Sequence, residues 1–509
     1  MIASNLPVLL IVVPLLAGLL TPFMRRLPGP AAWGWATIVT CAVLAMSIAL
    51  LRQVLELPAG QTGISYPMGS WTIPWGIEYR VDALNGFVLV IVASIAAVVT
   101  FGARASIVAE IPADRHHLFY AAWLLCMTGL LGITVTGDAF NAYVLLEIAS
   151  LSTYTLVAMG KDRDRRALPA TMNYIVLGTI GASFILVGIG YLYMATGTLN
   201  MADMADSLRA LQAAWSQGDL TYRRTVISAF AFLMTGFAIK LALFPLHSWL
   251  PDAYTYAPSP VSALLSATAT KVGAYITYRF LFTILGASFA FVLMPTGVII
   301  LTCGIAAVLA GSWVALRQMN VKRILAYSSV AQIGYIAIGL GLANPMGLQG
   351  SIVHLFNHAL TKGGLFMALA AVAFRRGGTD LAHLRGMGRR MPFTMTAFLV
   401  GGLGLIGVPL TSGFISKWYL LSGAIDGRAW SAAIAVIVGS LLAVGYVWRV
   451  VEVIWFQHAL EPDDEVREAP ATILISAWIL IGASVWFGID AGMTARVSEA
   501  AVRALGALP

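Results

Sequence analysis

Residues 225–247 read TVISAFAFLMTGFAIKLALFPLH, an apolar stretch with Lys240 inside it and Pro245 near its end. About 20 apolar residues suffice to cross a bilayer as a helix, so this lysine lies at membrane depth. A charge at a helix centre costs roughly 2.5 to 3.5 kcal/mol on insertion scales, and groups that bear this cost usually face a bundle interior, where they carry ions or protons. Lys271 and Glu147 sit in two further apolar stretches of the same kind. The chain reads as a membrane ion or proton conductor.

The composition agrees. Of 509 residues, 59% are hydrophobic and 11% charged, too little polar surface for a water-soluble fold. A pass along the chain predicts an all-α polytopic membrane protein of about 14 spans. They cover residues 5–23, 32–52, 83–104, 117–135, 139–158, 168–195, 225–247, 258–283, 288–312, 322–343, 348–374, 392–425, 430–456 and 469–491. The first run has no basic stretch ahead of it and is followed by Met24, Arg25 and Arg26, so it reads as a retained helix and not a signal peptide.

The net charge of +8 is spread over loops without an aromatic-laced patch, which argues against nucleic acid. Loops after odd-numbered spans hold about 18 Lys and Arg, Lys161, Arg163, Arg166, Lys322 and Arg323 among them, and those after even-numbered spans about 7. The positive-inside rule then makes the odd loops cytoplasmic and puts both termini on the other side of a bacterial cell membrane. Cys41, Cys126 and Cys303 are scattered without metal-ligand spacing and read as small core residues.

Two spans are interrupted. Pro245 removes a backbone donor in the seventh, and Gly407 to Gly413, with Pro409 between, break the twelfth. The breaks lie five spans apart, an odd number, so two copies of one unit would enter from opposite faces, as in inverted-repeat transporters whose sites lie at broken helices. The expected division is an N-terminal segment (1–115), a first five-helix repeat (116–283), a second (284–456) and a C-terminal helix with a short tail (457–509). Prolines are also simply common in membrane helices.

Glu147 has Ser150 on the same helical face and needs a partner, for which Lys240 is the expected choice. Burial disfavours charge and a nearby opposite charge restores it, so such a pair can exchange protonation states as its separation or hydration changes. A static pair fixing helix register is the alternative. Lys271 is too deep to snorkel and is the expected central relay. His354, His358 and Lys362 recur every fourth residue, a line suited to a water-mediated proton wire. Structural histidines bonded to neighbouring helices are the bland reading, and a zinc site lacks a third ligand. Lys417 follows the second break and could finish the line or snorkel. Ser328, Ser329 and Gln332 could hold water between these groups or serve as packing contacts, and His247 is a further supporting polar group. Asp138 and Asp252 read as caps or mouth residues.

The motifs FPLHSWLPDA (244–253), APSPVSAL (257–264) and HLFNHALTKGGLF (354–366) resemble signatures of the antiporter-like membrane subunits of respiratory complex I, membrane-bound hydrogenases and Mrp-type cation/proton antiporters. Nearly the whole chain fits that family's plan. The resemblance implies a hydrated proton axis of Glu147, Lys240, Lys271, His354, His358, Lys362 and Lys417, with none of the family positions missing. The chain stops soon after its last span, so the long extension of the largest complex I subunit of this type is not expected. TGDAFN (136–141) and GTLNMAD (197–203) look most like Mrp D subunits and their hydrogenase relatives. That implies a secondary-transport subunit and not an enzyme, without cofactor or metal, working with an A-type antiporter subunit and small hydrophobic subunits to exchange protons for Na+ or another monovalent cation. The alternative is a proton-pumping subunit of a redox-driven complex.

Overall fold

The computed structural model describes residues 3–26, 30–58, 60–458 and 466–506. The apolar runs fold as α1 (Leu6–Leu20) and α2 (Ala31–Leu55), then a short antiparallel hairpin, β1 (Ile64–Pro67) and β2 (Glu78–Val81), with Ile64 opposite Val81. There follow α3 (Ala83–Glu110), α4 (His116–Val135), α5 (Ala139–Ala158), α6 (Ala167–Thr196), α7 (Met201–Ser216), α8 (Arg223–Leu241), α9 (Trp249–Tyr256) and α10 (Ser259–Tyr278), which runs into a π-helical turn at Arg279–Ile284. The second half comprises α11 (Thr296–Arg317), α12 (Val321–Gly341), α13 (Pro345–Arg376), α14 (Leu381–Leu384), α15 (Met387–Arg390), α16 (Pro392–Ile406), α17 (Ser412–Asp426), α18 (Trp430–Trp455), α19 (Ala471–Ile489) and α20 (Gly492–Ala504).

Among the described residues, 12 helical stretches are long and apolar enough to cross a membrane. Three expected spans differ from their sequence reading. The eighth, α10, is almost wholly buried and too rich in Ser, Thr and Lys271 to join the 12. The seventh ends at Leu241, not at 247, and the twelfth is two 15-residue helices, α16 and α17. Lipid is as apolar as leucine, so the face a helix turns to it must be apolar, whereas a helix shielded by neighbours on all sides can carry polar groups that bond across the bundle. α13, buried along its whole middle, is where the sequence collects His354, His358 and Lys362.

Local geometry recurs in the two halves. Asp138 caps α5 and its strand-like residue pairs with Asn200 beyond α6, with Ala139 N donating to Leu199 O (2.9 Å) and Met201 N to Gly137 O (2.8 Å). Asn320 caps α12 and pairs with Asp380 beyond α13, with Val321 N donating to Thr379 O (2.8 Å) and Leu381 N to Met319 O (2.9 Å). α6 ends on left-handed Gly197 and α13 on left-handed Gly377. α4 packs on α5 where a Cβ on Gly129 would meet Ala149 N at 2.5 Å, and α11 on α12 where one on Gly311 would meet Ala331 N at 2.8 Å. Glycine there lets the backbones approach as small residues do in membrane bundles.

The two breaks also correspond. α8 stops at Ala242, which takes the left-handed conformation (φ 58°), and the chain turns through Pro245 and His247 before α9. α16 stops at Gly407 (φ 84°) and the chain passes Pro409 and Leu410 (φ 70°) before α17. Gly413, expected within the second break, lies instead in the first turn of α17. A Cβ there would fall 2.0 Å from Gly404 O, so its role is to let the two half-helices touch. Cys126 is buried as expected, but Cys41 is exposed on α2, which corrects its reading as a core residue.

Candidate functional site

A helix that ends inside a bundle leaves carbonyls without amide partners. At the first break Ile239 O accepts both Ala242 N (3.1 Å) and Trp249 Nε1 (2.9 Å), and the Lys240 amine reaches across to α5. It donates to Ser150 Oγ (2.9 Å), and that hydroxyl donates back to Leu146 O (2.7 Å). Lys240, Ser150, Thr153 and Tyr174 line a cavity of about 50 Å³ that also touches α10 at Val272 and Gly273. Glu147 does not form the expected direct ion pair with Lys240; Ser150 takes the amine instead, and Glu147 Oε1 is buried without a hydrogen-bond partner. The two charges are still within electrostatic range of each other. His247, in the break, stacks on Phe244 with ring centroids 5.2 Å apart.

Lys271 is fully buried and donates to Ser266 O and, at 3.4 Å, to Thr270 Oγ1. It lies within electrostatic range of His354, His358 and Lys362 on α13. Along that helix the rings of His354 and His358 stack with centroids 6.1 Å apart, and neither nitrogen of buried His358 meets a hydrogen-bond partner. Lys362 donates to Leu325 O (2.6 Å) and to Ser328 Oγ, both on α12. Ser329 turns back onto its own helix at Leu325 O (3.0 Å), and buried Gln332 lies beside Tyr446.

At the second break Lys417 does not snorkel. Its amine donates to the carbonyls of Leu405 and Ile406 (2.9 Å each) and to Ser440 Oγ (3.0 Å), and lies 4.6 Å from the ring centroid of Tyr335. His354 Nδ1 contacts Ser416 Oγ at 2.9 Å, joining α13 to α17 one residue before Lys417. The sequence-derived residues thus fall into neighbouring clusters: Glu147, Ser150 and Lys240; Lys271 with the α13 stripe; and Lys417. Each amine has neutral oxygen partners, so each can exist protonated or neutral without leaving a broken ion pair behind.

Sequence reading passed over several polar groups. Ser416, Tyr335 and Ser440 carry no signal of their own in an apolar helix, although Ser416 adjoins Lys417. Arg279, at the end of the eighth span, forms a buried ion pair with Asp82, the capping residue of α3. Lys322, counted among solvated loop cations, is buried and donates to Ala257 O (3.1 Å). It lines a cavity of about 200 Å³ on the odd-loop face with Glu110 and Arg163, themselves paired at 3.3 Å. At that mouth, hydrogen bonds from Arg166 hold the Asp164 carboxyl below its ordinary range. Asp138 caps α5 through Asn141 N (2.7 Å), and Asp252 pairs with Arg323 at 3.0 Å. Among the described residues no group of three or more His, Cys, Asp or Glu is arranged to hold a metal ion.

Residues 136–443, which contain the Lys240, Lys271 and Lys417 clusters, match the family described as "NADH:quinone oxidoreductase/Mrp antiporter, TM". The chain belongs to that family. An NADH-quinone oxidoreductase subunit N of Desulforudis audaxviator is 38% identical over 489 residues, covering 94% of both chains. A putative antiporter subunit mnhD2 of Staphylococcus aureus is 30% identical over 491 residues, covering 94% of this chain and 93% of the relative. Among solved structures, a chain of the membrane-bound sulfane sulfur reductase, an archaeal respiratory membrane complex, superposes with a TM-score of 0.87 at 29% identity over 98% and 97% of the two chains. The protein is an antiporter-like membrane subunit of the kind shared by Mrp and complex I-like assemblies.

Proposed function

We propose that this subunit conducts protons along Glu147, Lys240, Lys271, His354, His358, Lys362 and Lys417, with water completing the steps between clusters. The observation that carries this reading is the run of buried amines at the two helix breaks and between them, each held by neutral oxygens. A lysine that exists only as one half of an ion pair would resist losing its proton; these have no carboxylate within bonding distance. The matched bridges and breaks support two inverted five-helix units, 116–283 and 284–456, with the path at their interface. The basic odd-numbered loops support a cytoplasmic odd-loop face in a bacterial cell membrane and both termini on the other side.

In the first reading the chain is the D-type subunit of a Na+/H+ antiporter. It works beside an A-type subunit and small hydrophobic subunits, with inward proton flow driving a monovalent cation out. The D-type relative, aligned over nearly its whole length, supports this. The 38% identity to a subunit N favours a second reading, in which electron transfer on partner chains drives the same residues to pump outward. Mass spectrometry of everything that co-purifies from native membranes separates them. An A-type antiporter subunit without iron-sulfur proteins supports the first, and iron-sulfur subunits support the second. Under either, Lys240→Ala stops coupled proton movement in everted vesicles. Unimpaired movement would overturn the proton-conduction reading.

A further inference from the structure

A polar cavity of about 550 Å³ opens on the even-loop face, lined by Arg80, Asp82, Thr136, Tyr275, Arg279 and Thr283. Lys271, Tyr275 and Arg279 follow one another at steps of four on α10 and the turn after it, so the face that carries the central amine continues to the cavity floor. The amine itself points the other way, toward Ser266 O near the start of the helix. Tyr275 and Arg279, one and two turns beyond Lys271, line the cavity on the side facing that helix. The Arg279 guanidinium donates to Asp82 Oδ1 and to Tyr275 Oη (3.1 Å) and lies 5.4 Å from the Tyr275 ring centroid, with the ion-paired side chains only 8% and 10% exposed. Asp82 cannot swing away freely, because it also accepts Leu84 N (2.9 Å) and Asn85 N (3.2 Å) as the cap of α3. Beside this clamp Tyr278 Oη and Ser351 Oγ bond at 2.7 Å and tie α10 to α13.

A buried ion pair adds little to stability over a well-packed apolar substitute, so stability alone does not account for it. A fixed arginine in a narrow passage does exclude protons and cations, because the guanidinium stays charged and repels them. We propose that Arg279, clamped by Asp82 and Tyr275, is an electrostatic seal between the Lys271 cluster and the even-loop cavity. It stops protons and monovalent cations from crossing there. Protons must then pass through the α13 stripe to Lys417 before leaving, so transport cannot short-circuit within the first half. This rests on the proton path proposed above.

The test uses the intact complex in proteoliposomes, with an imposed potassium diffusion potential and a trapped pH-sensitive dye reporting passive proton entry. Arg279→Gln is expected to raise the leak severalfold, Arg279→Lys to hold it near the wild-type rate, and Arg279→Gln combined with Lys271→Ala to return it to baseline. An unchanged leak in Arg279→Gln overturns the seal. So does a raised leak that persists without Lys271, since the arginine would then guard some other route. Should Arg279→Gln fail to assemble, Asp82→Asn decides: it keeps a side-chain oxygen for the α3 cap but removes the charge that pins the guanidinium, and a leak equal to wild type overturns the proposal. The proton path itself is judged separately in the same vesicles, by whether Lys240→Ala abolishes coupled transport.

Discussion

The two broken helices share a shape and divide their polar groups differently. At the first, an indole from α9 shares the carbonyl of Ile239 with the backbone amide of Ala242, and Lys240 rests on the single hydroxyl of Ser150. At the second, the lysine itself is the cap, with its amine on the carbonyls of Leu405 and Ile406. Lys240 sits before its break and Lys417 after its own. The first lysine is therefore held loosely and is replaceable for folding, whereas the second supports the backbone it sits beside. A proton path needs both kinds, an amine that can change partners and one whose environment is fixed.

That contrast can be broken by mutation. The largest expected effect is on transport in Lys240→Ala, a fall on the order of a hundredfold for loss of a positioned proton-transfer group, with the thermal midpoint of the detergent-solubilised complex unchanged. Lys417→Ala is expected to lose transport and also about 2 to 3 kcal/mol of stability, because two buried carbonyls lose a charged donor. Thermal unfolding checks this, and equal midpoints for the two variants would erase the distinction. Gly413→Ala should cost about 1 to 3 kcal/mol by forcing α17 off Gly404, read in the same melt, with no matching position at the first break. The smallest effect is expected for Ser150→Ala. It removes one hydroxyl partner, worth about 1 kcal/mol, and should slow proton transfer severalfold in reconstituted vesicles without disturbing assembly.

What could be read from the sequence follows from where each helix sits. Helices that face lipid announce themselves by composition, and so does a lone charge such as Lys240 within one. α10 and α13 lie inside the bundle, where neighbours and not lipid set the allowed residues, so α10 falls short of the apolarity of a span and the ends of the seventh and twelfth spans are misjudged. The stripe of His354, His358 and Lys362 was legible because helical spacing alone puts it on one face. The partner of Lys240 was not, since charge complementarity points to Glu147 whereas the amine bonds the hydroxyl of Ser150. Arg279 and Asp82 are distant in sequence, and each looks like an ordinary helix-end charge until the fold brings them together.

The most direct test of the proton path is coupled proton transport by the intact complex in proteoliposomes when Lys271, the buried link between the two breaks, is replaced. With wild-type assembly, Lys271→Ala should abolish coupled transport. Transport at the wild-type rate would mean that protons do not pass through the centre of this subunit.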